Sequence, residues 1–99
     1  MSRLTEIAEG LGKLLDQKRN AYGRSSERSG DILTILYPDG VSTASYGDMQ
    51  LLTRIIDKMF RIARHPDGDP MNEDPYMDIA GYGLLGADRA KKQRERLGL

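Results

Sequence analysis

One carboxylate stands alone in the most apolar stretch of the chain. Asp78 is the only charged residue between Pro75 and Ala87. A carboxylate taken out of water needs a cation, a metal or a proton. Cations are at hand elsewhere: Arg54, Lys58, Arg61 and His65 fall at i, i+4, i+7 and i+11, one basic stripe if that segment is helical. Such a stripe suits a phosphate or another anion, and it equally forms an ordinary solvated face. Lys58 sits at the apolar edge of the stripe. An Asp78–Lys58 or Asp78–Arg61 ion pair that fixes helix register is therefore one expectation. The other places Asp78 in the wall of a ligand pocket. Tyr22 and Tyr82 are the aromatics nearest these segments. A tyrosine can stack on a base and hydrogen-bond through its hydroxyl; packing in a core or at a helix end is the plain alternative.

The acidic residues offer little metal chemistry. Glu73, Asp74 and Asp78 cluster at one helix start. Two carboxylates four apart can share Mg²⁺, which makes Asp74 and Asp78 the one weak metal pair. Asp74, directly before Pro75, reads first as a helix cap. Asp67-Gly68-Asp69 lacks the further ligands of a calcium loop and reads as a turn. A single histidine, His65, excludes a His-based zinc site. The absence of cysteine excludes disulfides, thiolate ligands and a cysteine nucleophile. Gly-x-Ser-x-Gly, the phosphate loop and the dinucleotide glycine pattern are all missing. No catalytic residue is assigned.

Helices must position these groups. In segment one, residues 1–22, Leu4, Ile7, Ala8, Leu11, Leu14 and Leu15 recur at helical spacing, and Gly23 reads as the stop. Residues 30–46 carry two readings. Ile32–Tyr37, Asp39-Gly40 and Val41–Tyr46 match a hairpin with an Asp-Gly turn. A helix from about Ser26 to Tyr37, closed by Pro38, fits the same residues. It is favoured because a lone hairpin is marginal beside a helical core. Residues 47–64 give the strongest amphipathic pattern: Met49, Leu51, Leu52, Ile55, Ile56, Met59, Phe60, Ile62 and Ala63 fill one half-cylinder, with Lys58 on its seam. Residues 65–70 are a loop by composition. Residues 75–95 open with Asp74-Pro75 and are apolar or glycine on all sides to Ala87, which requires burial inside the chain or at a subunit interface. Gly81, Gly83 and Gly86 would let backbones approach closely. The fold class is all-α: one domain over residues 1–99, a small bundle of about four helices that dimerises through apolar helix faces.

Ninety-nine residues make one domain with a thin stability margin. Basic and acidic residues balance at 15 each, which argues against a sequence-independent nucleic-acid binder. The charge is uneven, however. Residues 1–30 carry six basic and four acidic residues, 31–78 four and nine, and 79–99 five and two. The basic tail at 89–99 reads as a solvated helix end suited to the dipole. No apolar run approaches a membrane span and no signal-peptide core is visible, so the expected location is the cytoplasm.

Tyr22-Gly23, Lys58-x-x-Arg61, an acidic loop and Asp74-Pro75-Tyr76-Met77-Asp78-Ile79-Ala80-Gly81-Tyr82 together resemble a group of small phage and prophage helical proteins with an Asp-Ile-Ala-Gly-Tyr box. Those look similar to the nucleotide-modification-associated domains and, distantly, to the MazG-type all-α nucleoside triphosphate pyrophosphohydrolases. The resemblance covers roughly residues 18–88 and implies a phage origin, a bacterial host cytoplasm, an all-α fold and a link to nucleotide chemistry. The MazG-type enzymes hold Mg²⁺ through Glu-x-x-Glu and Glu-x-x-Asp pairs. This chain has neither, and offers Arg54, Asp57, Lys58 and Arg61 where the first pair would lie. A cation there repels a metal. The leading expectation is a non-enzymatic accessory protein that binds a phosphate-bearing nucleotide, acting as a homodimer or higher oligomer. Lys58 and Arg61, bordered by Arg54, would hold phosphate. Asp78 would orient Lys58 or accept from base or ribose, and Tyr22 or Tyr82 would stack. The alternatives are a reduced Mg²⁺-dependent hydrolase using Asp74, Asp78 and Asp57, and a module that binds a host protein.

Overall fold

The computed structural model describes residues 2–22 and 25–99, without the side chains of residues 21, 22, 25 and 26. Among the described residues it is all-α, with four helices, one 3₁₀ turn and no strand. Helix α1 spans Arg3–Tyr22, α2 Ser25–Leu36, α3 Tyr46–Arg64 and α4 Pro75–Arg96.

The start of α1, the end of α2 and the start of α4 have local causes. The Ser2 hydroxyl accepts from the Thr5 N–H at 3.2 Å and caps α1. Gly23, the expected stop, lies outside the described residues. Residues 30–46 resolve in favour of the helix: α2 runs to Leu36, just short of Pro38, whose ring excludes a continuing helix. Asp39-Gly40 does form a tight turn, with the Gly40 N–H donating to the Tyr37 carbonyl and Gly40 at φ 92°. The turn joins a helix to the 3₁₀ turn Thr43–Ser45 rather than two strands. At α4 the Asp74 carboxylate accepts from the Met77 N–H at 3.1 Å, with Pro75 in the first helical position. The helix continues to Arg96, so most of the basic tail is its last turns.

Helices α3 and α4 form an antiparallel hairpin, and α2 and α1 also pack on α3. One register runs the length of the hairpin. Asp48 meets Arg89, Leu51 meets Gly86, Arg54 meets Tyr82, Lys58 meets Asp78 and Arg61 meets Glu73. Of the three glycines expected to allow close approach, Gly86 does so: a Cβ there would lie 3.5 Å from Leu51, while at Gly81 and Gly83 nothing lies within 4 Å. Gly47 serves a different contact. A Cβ there would collide with the Arg89 guanidinium, which crosses the start of α3 to reach Asp48 at 3.0 Å.

The core is small. Ile56, at 4% exposure, is the one buried hydrophobic side chain among the described residues. The expectation that α4 is covered on all sides is not met within one chain: Tyr76, Met77, Leu84 and Leu85 are exposed. On α1, Leu4, Ile7, Leu11, Leu14 and Leu15 are exposed as well. The radius of gyration is 17.3 Å over extents of 60 × 35 × 26 Å, against about 13 Å for a compact chain of this length. No helix is long and apolar enough to cross a membrane among the described residues.

Candidate functional site

The middle of the basic stripe of α3, Lys58 and Arg61, is largely withdrawn from water, while Arg54 stays exposed. The hairpin register turns that middle part onto the first half of α4 and the acidic end of the loop. Lys58, with its side chain 12% exposed, places Nζ 3.0 Å from Asp78 Oδ2 and 3.7 Å from Glu73 Oε2. Arg61, 13% exposed, pairs through Nη1 with Glu73 and through Nε with Asp57 at 3.5 Å. Three carboxylates thus surround two cations. Asp78 and Lys58 come together as their sequence positions suggest, in the arrangement of a register-fixing ion pair.

Arg54 is held differently. Its guanidinium lies over the Tyr82 ring, 5.7 Å from the centroid, within range of a cation–π contact. It forms no ion pair with a carboxylate among the described residues. Tyr82 also lines an open groove of about 280 Å³ between α3 and α4, together with Tyr37, Leu51, Leu52, Ile55 and Gly86, and with one carboxylate, Asp48, which pairs with Arg89. The lack of a side chain at Gly86 gives the groove part of its width. Of the six residues expected to bind a ligand, Arg54 and Tyr82 share this edge and Lys58, Arg61 and Asp78 share the ion-pair cluster. The Tyr22 side chain lies outside the described residues.

A second cleft of about 410 Å³ sits where the loop joins α4, lined by Arg61, His65, Asp69, Glu73, Asp74 and Tyr76 among others. Its carboxylates are engaged by the fold. Asp69 Oδ2 accepts from the Met71 and Glu73 N–H groups, Asp74 caps α4 and Glu73 holds Lys58 and Arg61. Asp67-Gly68-Asp69 is a turn, as its composition indicates, with the Gly68 N–H donating to the His65 carbonyl. No three His, Asp or Glu side chains converge as a metal site among the described residues. Asp74 and Asp78, the weak Mg²⁺ pair, serve as a helix cap and as the Lys58 partner.

Sequence reasoning passes over Tyr37, which stands in α2's exit turn and reaches the groove from a third element. Nothing in residues 32–46 taken locally marks it. Glu73 and Asp57 stand out in the sequence only as metal candidates, yet they neutralise the stripe. The Lys58–Asp78 pair contains a signal for the rest, because extending it along an antiparallel hairpin puts Arg54 at Tyr82 and Arg61 beside Glu73. No protein-family model, curated protein or solved structure matches this chain.

Proposed function

We propose that the chain is a non-catalytic binding protein for a phosphate-bearing nucleotide, with the Tyr37–Tyr82 groove as the base site and Arg54 as the phosphate contact. The observation that carries this reading is Arg54: a guanidinium held over the ring of Tyr82, itself a wall of a mostly apolar groove whose one carboxylate, Asp48, is paired with Arg89, and with no carboxylate of the described residues claiming Arg54. An aromatic wall accepts a base face, and a guanidinium matches phosphate oxygens in a bidentate fork. The local charge moves the phosphate role away from Lys58 and Arg61. A phosphate there would meet Asp57, Glu73 and Asp78 as well as the two cations, an unfavourable balance. Lys58, Arg61 and Asp78 then keep α4 in register, which sets Tyr82 beneath Arg54. The resemblance to nucleotide-associated phage proteins points to the same ligand class.

The test is a calorimetric titration in EDTA with nucleoside mono-, di- and triphosphates and cyclic dinucleotides. At least one should bind. Arg54→Ala and Tyr82→Ala should each weaken it by about tenfold or more, as for the loss of a charged contact or a stacked ring. Arg54→Lys should recover only part. No heat from any compound, or full affinity in Arg54→Ala, overturns the assignment.

The same reading takes the protein as a homo-oligomer. Its accessible surface is 7781 Å² for 11.1 kDa, where a folded monomer of that mass has about 5,700 Å². The excess of about 2,100 Å² per chain, about 4,200 Å² for a pair, is as large as the total area that obligate subunit interfaces cover. Exposed Tyr76, Met77, Leu84 and Leu85 on α4 favour a second reading, in which a host protein is the partner. It is distinguished by a specific complex forming with no nucleotide bound.

A further inference from the structure

The groove between α3 and α4 has two chemically different ends. At one, Arg54 lies over Tyr82. At the other stands Asp48, the one carboxylate on its wall. Asp48 and Arg54 are about 9 Å apart along the α3 axis at 1.5 Å per residue, roughly the reach of a nucleoside from base edge to 5′-phosphate. Between them the groove is lined by Leu51, Leu52 and Ile55 from α3 and by Gly83 and Gly86 from α4. A Cβ at Gly83 would meet nothing within 4 Å, so a flat ring can lie against that backbone beside Tyr82. The volume of about 280 Å³ stands at the small end of ligand sites, which run from about 300 to 1,000 Å³, and suits one base rather than two.

Asp48 decides which base fits. Its side chain is 65% exposed, and Oδ1 accepts from Arg89 Nη2 at 3.0 Å. No other side chain among the described residues holds this carboxylate. An ionised carboxylate only accepts hydrogen bonds, with about four lone-pair sites on its two oxygens. With one site taken by Arg89, it can still accept from two adjacent donors on a ligand edge. Guanine alone among the common bases offers two, N1–H and the N2 amino group side by side. Adenine and cytosine present a single amino group on that edge, and uracil a single ring N–H. Charge adds to the fit. One carboxylate lies between two guanidiniums, Arg89 and Arg54, so an anionic nucleotide meets a net positive site.

Resting on the nucleotide reading above, we propose that the ligand is a guanine mononucleotide and that Asp48 selects the base. The Asp48 carboxylate accepts from guanine N1–H and N2–H, the ring lies along Tyr82 and Gly83, and the phosphate reaches Arg54. Arg89 is a positioning residue that holds the carboxylate at the groove.

The test is calorimetric titration of the full-length protein, in EDTA, with the 5′-monophosphates of guanosine, inosine, adenosine and xanthosine. Inosine differs from guanosine only in lacking the N2 amino group. It should bind about tenfold more weakly, as for one lost hydrogen bond to a charged group. Adenosine and xanthosine should be weaker still, since xanthosine turns a C2 carbonyl toward the carboxylate. Asp48→Asn should reverse the order. Its amide donates to that carbonyl while its oxygen accepts from N1–H, so xanthosine gains about tenfold as guanosine loses about tenfold. Equal affinity of the wild type for guanosine and inosine would overturn the proposal without any variant. An Asp48→Asn protein weakened for all four alike would reduce Asp48 to a structural partner of Arg89 and overturn it as well. Binding that Arg54→Ala abolishes but that shows no preference for guanine would overturn the base assignment and leave the nucleotide site standing. Silence from all nucleotides would overturn both.

Discussion

Replacing Asp78 by alanine removes the nearer partner of a lysine that the fold has largely taken out of water. Lys58 Nζ would keep Glu73 Oε2, 3.7 Å away and shared with Arg61. Breaking a fully buried pair costs about 3–5 kcal/mol, and an exposed pair is worth about 0–1 kcal/mol. Here Lys58 is 12% exposed but Asp78 is 42% exposed. Solvent screening on the Asp78 side and the residual Glu73 contact place the cost at about 1–2 kcal/mol. For a domain of this size each kcal/mol moves the melting temperature by about 4–8 °C, so Asp78→Ala should melt about 5–15 °C lower at fixed protein concentration. Lys58→Met together with Asp78→Ala should recover part of that loss, because an apolar replacement of both partners leaves no charge stranded. The double-mutant cycle should return a coupling of about 1 kcal/mol. A coupling below about 0.3 kcal/mol, within the additivity of independent sites, would refute the view that this pair fixes the hairpin register.

Substitutions at three further positions probe the elements separately. Asp74→Ala removes the α4 cap and should lower stability in urea by about 1 kcal/mol. Gly30→Ala, at an α2 position where an added Cβ would meet nothing within 4 Å, should raise stability by about 0.5–1 kcal/mol through helix propensity. At Gly86 the first methyl would rest at ordinary contact distance from Leu51. Gly86→Ala should be neutral or stabilising, whereas Gly86→Val should cost about 1–3 kcal/mol by overpacking α3 against α4, both read from the urea midpoint.

The helices were legible where their causes are local. Asp74-Pro75 announces α4, Pro38 terminates α2, and the half-cylinder from Met49 to Ala63 marks α3 as the helix others pack on. The hairpin alternative over residues 32–46 failed because β propensity there is a preference for a half-buried surface, and that surface is supplied here by packing α2 on α3. The candidate site was legible only in part. A helical wheel puts Arg54, Lys58 and Arg61 on one stripe but carries no information on which partner covers each. That depends on the hairpin register, set by an ion pair and a glycine contact between residues twenty or more apart in sequence. The same stripe therefore splits into two neutralised cations and one that lies on a tyrosine.

Stability and assembly should prove to be a single quantity in this protein. One chain buries one hydrophobic side chain among its described residues and leaves apolar faces of α1 and α4 in water. If a second copy covers those faces, unfolding and dissociation occur together and the melting temperature depends on concentration. A tenfold rise in protein concentration contributes about 1.4 kcal/mol per dimer. A dimer of this chain has 198 residues' worth of unfolding entropy, twice the 99 of one chain. At that size each kcal/mol shifts the midpoint by about 2–4 °C, so the expected gain is about 3–6 °C per decade of concentration. A wild-type midpoint constant across two decades would mean that the chain folds alone, and that its bare helix faces are held for a partner other than itself.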